Sequence, residues 1–186
     1  MIRTFLALNL PIDVRKQISN WQGYFRDYNV DGLKWVATEN LHVTLQFAGD
    51  IRESDLPDLI DFLGNEIEGK SSVQLTDAKI DIIPGKLPRI IWIKYRNQQT
   101  DMAKLVKKFR NKLNESGYTT DNKPLSYHVT LARIKKRLPE YFVQKILTTE
   151  LKMSDFVAED ITLYRSILRP EGPVYEALAE YKLKKE

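Results

Sequence analysis

The chain repeats itself once. A constant shift of 86 residues lays His42 on His128, Thr44 on Thr130, Arg3 on Arg89 and Pro84 on Pro170. The same shift lays the helical apolar pattern that begins near Ser54 on the one that begins near Glu140. A unit this long exceeds those of solenoids, so it marks a duplicated lobe and not an array. Each copy reads strand, helix, motif strand, helix, strand. Two copies related by a pseudo-twofold axis set equivalent strand positions on either side of a cleft. The expected fold is therefore α+β: a duplicated bilobal fold, with two pseudo-symmetric antiparallel sheets facing a central cleft and helices packed on the outside. Residues 1–186 are expected to form one such domain, its halves near 1–86 and 87–186, with strand exchange between lobes allowed for.

Each copy carries one His-x-Thr on an apolar strand, Leu41-His42-Val43-Thr44-Leu45 and Tyr127-His128-Val129-Thr130-Leu131, and these are the only two histidines. Side chains alternate faces along a strand, so His and Thr at i and i+2 point the same way while Val43 and Val129 point into the opposite layer. A lone strand histidine is ordinarily a satisfied surface or core residue. Its doubling in register argues that the two motifs act together on one groove.

Composition removes several chemistries. There is no cysteine, hence no disulfide framework and no thiolate nucleophile. Two histidines without cysteine leave zinc short of ligands, although a carboxylate-and-water magnesium site stays open on composition alone. No metal and no cofactor are expected. There is no Gly-rich phosphate loop, no GKS/T element and no G-x-S-x-G elbow. No stretch approaches the roughly twenty apolar residues of a membrane span, and the opening Ile2 to Leu10 run is too short for a signal peptide. A cytoplasmic monomer without membrane contact is expected. The net charge of +4 suits an anionic ligand but not a duplex-coating protein. The clusters Lys107-Lys108, Lys135-Lys136-Arg137 and Lys182 to Lys185 read as solvated faces.

In chain order, Ile2 to Leu10 reads as a strand and Pro11 opens a helix marked by Val14, Ile18, Trp21 and Phe25. A turn over Asn29 to Gly32 leads to extended Lys34 to Val36, then to a motif strand from His42 to Phe47 closed by Gly49-Asp50. A helix spans Ser54 to Ile67, and a strand spans Val73 to Ile83, ended by Pro84-Gly85. The second copy opens with a strand from Arg89 to Tyr95. A helix over Met102 to Leu113 follows and stops at Gly117. The second motif strand runs from Tyr127 to Ile134, and a short helix from Pro139 to Leu147. Strands Phe156 to Leu168 and Val174 to Leu183 close the chain.

Two imidazoles across a cleft can serve opposite ends of an in-line displacement, one taking a proton from the attacking oxygen and the other giving one to the leaving oxygen. The Thr44 and Thr130 hydroxyls can donate to non-bridging phosphoryl oxygens as charge builds there. Further binding candidates are Arg133, Arg89 and Arg3 for phosphate. Arg133 lies five residues after His128, on the opposite face unless the strand bulges. Of the aromatics near the strands, Tyr175 and Phe5 are the candidates for stacking on a base, while most of Phe47, Trp92 and Tyr127 read as core.

These phrases together resemble a known family. The opening Arg-Thr-Phe-Leu-Ala-Leu-Asn-Leu-Pro, Trp35-Val36, Asn40-Leu41-His42-Val43-Thr44-Leu45 with Phe47 and Gly49, Arg89-Ile90-Ile91-Trp92, and His128-Val129-Thr130-Leu131-Ala132-Arg133 look like the LigT/ThpR branch of the two-histidine phosphoesterases. The likeness spans nearly the whole chain in order. It implies an RNA 2′,3′-cyclic phosphodiesterase that opens a terminal cyclic phosphate to a 2′-phosphomonoester, with 2′-5′ RNA ligation as the reverse reaction. It maps His42 to proton donor, His128 to proton acceptor, and Thr44 and Thr130 to phosphate-binding hydroxyls. The implied partners are RNA 3′ ends or nucleotides bearing a 2′,3′-cyclic phosphate. Two departures are small: Ala48 stands where a larger apolar residue is usual, and Tyr127 where proline is common, which would touch the cleft rim. Two other readings stay open. One is a phosphodiesterase for a small cyclic-phosphate nucleotide, or a 3′-end exonuclease. The other is a non-catalytic nucleotide-binding module.

Overall fold

A computed structural model describes residues 1–83 and 89–185. The first half of the chain forms β1 (Ile2–Asn9), α1 (Ile12–Arg26), β2 (Leu33–Trp35), β3 (His42–Ile51), α2 (Leu56–Ile67) and β4 (Val73–Ile82). The second forms β5 (Ile90–Arg96), α3 (Asp101–Glu115), β6 (His128–Ile134), α4 (Glu140–Thr148), β7 (Phe156–Ala158), β8 (Asp160–Leu168) and β9 (Pro173–Lys182). The helices follow their apolar spacing. In α3, Met102, Leu105, Val106, Phe109 and Leu113 form one buried stripe. Gly117, at φ +85°, ends it by letting the Tyr118 N–H return to the Leu113 carbonyl at 2.9 Å.

All strand pairs are antiparallel, in the order β7-β4-β5-β6-β3-β1-β8-β9, with β2 beside β6. The sheet falls into two halves, β6-β5-β4-β7 and β3-β1-β8-β9, that touch through a single residue pair, Val43 opposite Val129. The two expected sheets are thus one curled surface with a seam between the motif strands. Strand β4, from the first half of the sequence, lies against β5. Its counterpart β8 lies against β1. Val43 and Val129 are fully buried in a core shared with Val14, Ile18 and Phe25 of α1 and Phe109 of α3, so the helices cover the face opposite the cleft.

Two expectations change. The stretch Phe156 to Leu168 is not one strand: β7 pairs with β4 and β8 with β1, and Glu159 between them gives its carbonyl to the Leu183 N–H at 2.8 Å. Phe156 and Ala158 are buried where β7 edges β4, and one residue later the chain enters β8, between β1 and β9. Nor does Gly49-Asp50 close β3, which continues to Ile51. Gly49 sits at φ +83° where Thr4 stands opposite it and Phe5 opposite Phe47, so it forms a bulge that an L side chain resists. Pro84-Gly85, read as a strand end and as the partner of Pro170 in the repeat, lies outside the described residues.

Candidate active site

Both motif strands lose their alternation at the same point. In β6, Trp92 stands opposite Thr130 and Ile91 opposite Ala132, so Leu131 is an extra residue. In β3, Ala7 stands opposite Thr44 and Leu6 opposite Gln46, so Leu45 is its counterpart. A bulge of this kind turns the following side chains onto the other face. It brings Arg133 and Phe47, equivalent under the 86-residue shift, onto the surface that carries the histidines. The carbonyl of Leu131 accepts the Val36 N–H at 2.8 Å and the amide of buried Gln22 at 3.0 Å, which fixes the bulge from β2 and α1.

About the Val43–Val129 pair, the antiparallel register sets His42 across from Thr130 and Thr44 across from His128. The histidines are then diagonal neighbours, about 7–8 Å apart in a regular ladder, and the strands splay beyond this one pair. The opening is a cavity of about 380 Å³ lined by His42, Thr44, Phe47, His128, Thr130 and Arg133. Tyr175 of β9 and Trp35 of β2 complete its walls.

Backbone carbonyls orient both rings. His42 Nδ1 donates to the Asn40 carbonyl at 2.7 Å, and His128 Nδ1 to the Ser126 carbonyl at 2.9 Å, each two residues upstream. A carbonyl only accepts, so the Nδ1–H tautomer is assigned in both and Nε2 is the free nitrogen. The Thr44 hydroxyl lies 3.0 Å from His42 Nε2 and donates to it. Burial lowers the His42 pKa to about 4, with the charges of His128 and Arg133 pushing the same way and the Asn40 carbonyl opposing. Burial also lowers His128, helped by the Lys94 charge and opposed by the Ser126 carbonyl. The His42 ring is 4.9 Å from that of Phe5 and 5.4 Å from that of Tyr175. The His128 ring is 4.5 Å from Trp92, over which the Lys94 ammonium sits at 4.9 Å.

The remaining candidates part company. Arg133 and Tyr175 line the cavity. Phe5 does not: it is 2% exposed and packs against His42, Phe47, Tyr164 and Tyr175, with no face open for a base. The open aromatic is Phe47, 60% exposed at the rim, which the sequence did not single out. Its signal was in the sequence, five residues after His42 as Arg133 is after His128. Arg3 is outside the cavity, 3.8 Å from Asp50. Its equivalence with Arg89 does not survive the pairing, because Phe5 stands opposite Phe47 and Ile90 opposite Arg133, an offset of 85 and not 86. Arg89 lines an adjoining groove. Tyr127 packs on the core and not on the rim. Lys34, absent from the sequence candidates, borders the cavity. Among the described residues no three His, Asp or Glu side chains cluster so as to hold a metal ion, and no helix is long and apolar enough to cross a membrane.

Comparison with known proteins bears on the family and the fold. The RNA 2′,3′-cyclic phosphodiesterase of Methanocaldococcus jannaschii is 29% identical over 190 residues, covering 97% of this chain and 100% of the relative. That of Aquifex aeolicus is 31% identical over 158 residues, 81% of each. The crystal structure of TT0787 from Thermus thermophilus superposes with a TM-score of 0.80 at 27% identity over the full length of both chains. Apo LigT of E. coli shares the fold at a TM-score of 0.76 and 23% identity, covering 98% of this chain and 97% of that one. The model of the LigT-like phosphoesterase family matches twice in tandem, over residues 8–92 and 93–175. Each match contains one His-x-Thr strand, and the chain belongs to the LigT-like phosphoesterases.

Proposed function

We propose that the chain hydrolyses the 2′,3′-cyclic phosphate at RNA ends to a 2′-phosphomonoester, with the two histidines as acid and base and without a metal ion. The observation that carries this reading is that both imidazoles and both hydroxyls border one cavity, each ring tied back through Nδ1 so that Nε2 is the working atom. Relatives that cover 97% and 96% of the chain are RNA 2′,3′-cyclic phosphodiesterases.

In the reaction, His128 Nε2 takes a proton from water as its oxygen bonds to phosphorus. The P–O3′ bond breaks on the far side, and His42 Nε2–H delivers its proton to the departing O3′. One water is consumed and the two imidazoles exchange protonation states. Thr44 and Thr130 donate to the non-bridging oxygens, and Arg133 offsets their charge. The low pKa of His42 keeps it neutral in the free protein, and the anion is what draws a proton onto it. With a 5′-hydroxyl in place of water as the attacking group, and O3′ still departing, the same groups form a 2′-5′ linkage, the ligase reaction.

A cavity of about 380 Å³ lies at the small end of ligand pockets. That size favours a small cyclic-phosphate nucleotide as the second reading. Incubation of a 2′,3′-cyclic-phosphate oligonucleotide with the protein in EDTA decides for or against the first. A 2′-phosphate end is expected. A 3′-phosphate product, or no product while a cyclic mononucleotide is opened, contradicts it.

A further inference from the structure

We propose that the RNA strand leading to the reacting end leaves the cleft through the groove of Arg89, Arg133, Lys135 and Arg137, which holds its backbone phosphates. This rests on the cyclic phosphodiesterase reading and gives it a substrate class, an oligonucleotide in place of a mononucleotide. The groove, about 510 Å³, shares Ile90, Arg133 and Lys135 with the wall of the catalytic cleft, so the two cavities are continuous. Among the described residues, no acidic side chain lines it.

The groove gathers side by side several cations without ion-pair partners among the described residues. Lys136, next to them, is 2.5 Å from Asp31. Arg89, Arg133, Lys135 and Arg137 are exposed and have no carboxylate within 4.0 Å among the described residues. Lys34, the cross-strand partner of Arg133, adds a fifth cation where groove and cleft meet. Clustered like charges repel one another, and a bound polyanion relieves that repulsion. A cyclic mononucleotide has one charge, which the His/Thr pairs and Arg133 already meet. The remaining cations lie along a path that only further phosphates would use. Arg133 and Lys135 are two apart, and the Lys135 N–H still bonds to the Gly32 carbonyl at 2.7 Å. Their repeat of about 6.6 Å along an extended chain is comparable to the spacing of phosphates along a single strand.

The direction follows from the opposite exit. A second opening reaches His42 and Tyr175 from the other side, and its charged residues are Glu39, Asp160 and Glu180 with Arg15. Lys182 pairs with Asp160 at 2.5 Å, and Glu39 and Glu180 still outnumber Arg15, so that side disfavours a phosphate chain. The trio Lys135-Lys136-Arg137, read from the sequence as a solvated face, lines the groove as a whole, with Lys136 ion-paired to Asp31 and its two neighbours unpaired among the described residues.

The test is a ratio: kcat/KM on a tetranucleotide ending in a 2′,3′-cyclic phosphate over kcat/KM on the corresponding cyclic mononucleotide. The wild-type ratio is expected to be at least about 10 at low salt. In Lys135→Gln/Arg137→Gln it should fall toward 1. The log–log salt slope for the tetranucleotide should shrink by about 1.4, or about 0.7 for each phosphate that the variant no longer neutralises. Glu39→Gln/Glu180→Gln should not lower the ratio. A wild-type ratio near 1, or a double variant that keeps the wild-type ratio and slope, overturns the groove while leaving the phosphodiesterase reading intact. If no cyclic phosphate of any length turns over, that reading fails. The groove is then judged by fluorescence anisotropy of a 5′-labelled tetranucleotide with a 2′-phosphate end. Unchanged affinity in the double variant rejects it, and a loss with the same change of slope upholds it.

Discussion

The two halves of the site have the same motif and different surroundings. On the first side His42 sits among Phe5, Tyr175 and the Thr44 hydroxyl, with Asn9 as its cross-strand neighbour. On the second side His128 sits against Trp92, with Lys94 across the strand and Arg133 beyond the bulge. The bulges themselves match, yet one delivers Phe47 to the rim and the other Arg133. One half is aromatic and enclosed; the other is cationic and open. Duplication supplied two identical proton-transfer groups, and divergence around them separated their affinities for a proton and for a substrate. In the free protein that separation runs against the assigned roles, since His42 is the harder ring to protonate, so the bound anion has to raise His42 before it can act as the acid.

The comparison breaks first at the histidines. His42→Ala and His128→Ala should each lower the rate on a cyclic phosphate by about 10²–10⁴. The double variant should be little worse than the more damaged single one, because the pair acts as a unit. A His42→Ala enzyme at full rate would remove that side from the chemistry. Next comes the pair delivered by the bulges. Arg133→Gln should cost about 10–150-fold in kcat/KM on substrates of every length, as expected for a charged hydrogen-bonding group worth about 1.5–3 kcal/mol. Phe47→Ala should cost about 10-fold, mainly in KM, through lost stacking. Equal losses with the same KM and kcat split would mean that the halves have not diverged in role.

The smallest effect is on pH dependence. Both imidazoles have free-protein pKa values below 6.5, His42 the more depressed at about 4. The kcat/KM profile should therefore rise through the lower value, fall through the upper, and peak below pH 6.5. Removing the Lys94 charge makes the His128 imidazolium easier to form, so Lys94→Met should move the upper limb to higher pH. A limb that stays in place, or moves down, contradicts the electrostatic part of the comparison.

Much of this was legible in the chain because duplication marks itself. The shift of 86 predicted the element order, the seam strands and the convergence of His42, Thr44, His128 and Thr130 on one surface. What escaped depends on partners distant in sequence. Leu45 and Leu131 look like ordinary strand residues, and only the register against β1 and β5 makes each an extra residue that turns Phe47 and Arg133 inward. Phe5 and Phe47 are alike in type, and packing against Tyr164 and Tyr175 decides which is buried. Arg3 and Arg89 match in sequence but not in space, because a one-residue change of register separates the first strands of the two lobes. The single stretch from Phe156 to Leu168 divides because its two ends pair with different strands, β4 and β1.

With only two histidines in the chain, proton NMR can follow each ring alone. Titration of the free protein and of its complex with a 2′-nucleotide is the most direct probe of a shared site. Both pKa values should lie below 6.5 when free, with His42 lower, and both should rise when the anion binds. If one ring responds and the other keeps its free value, the two motifs do not face a common phosphate.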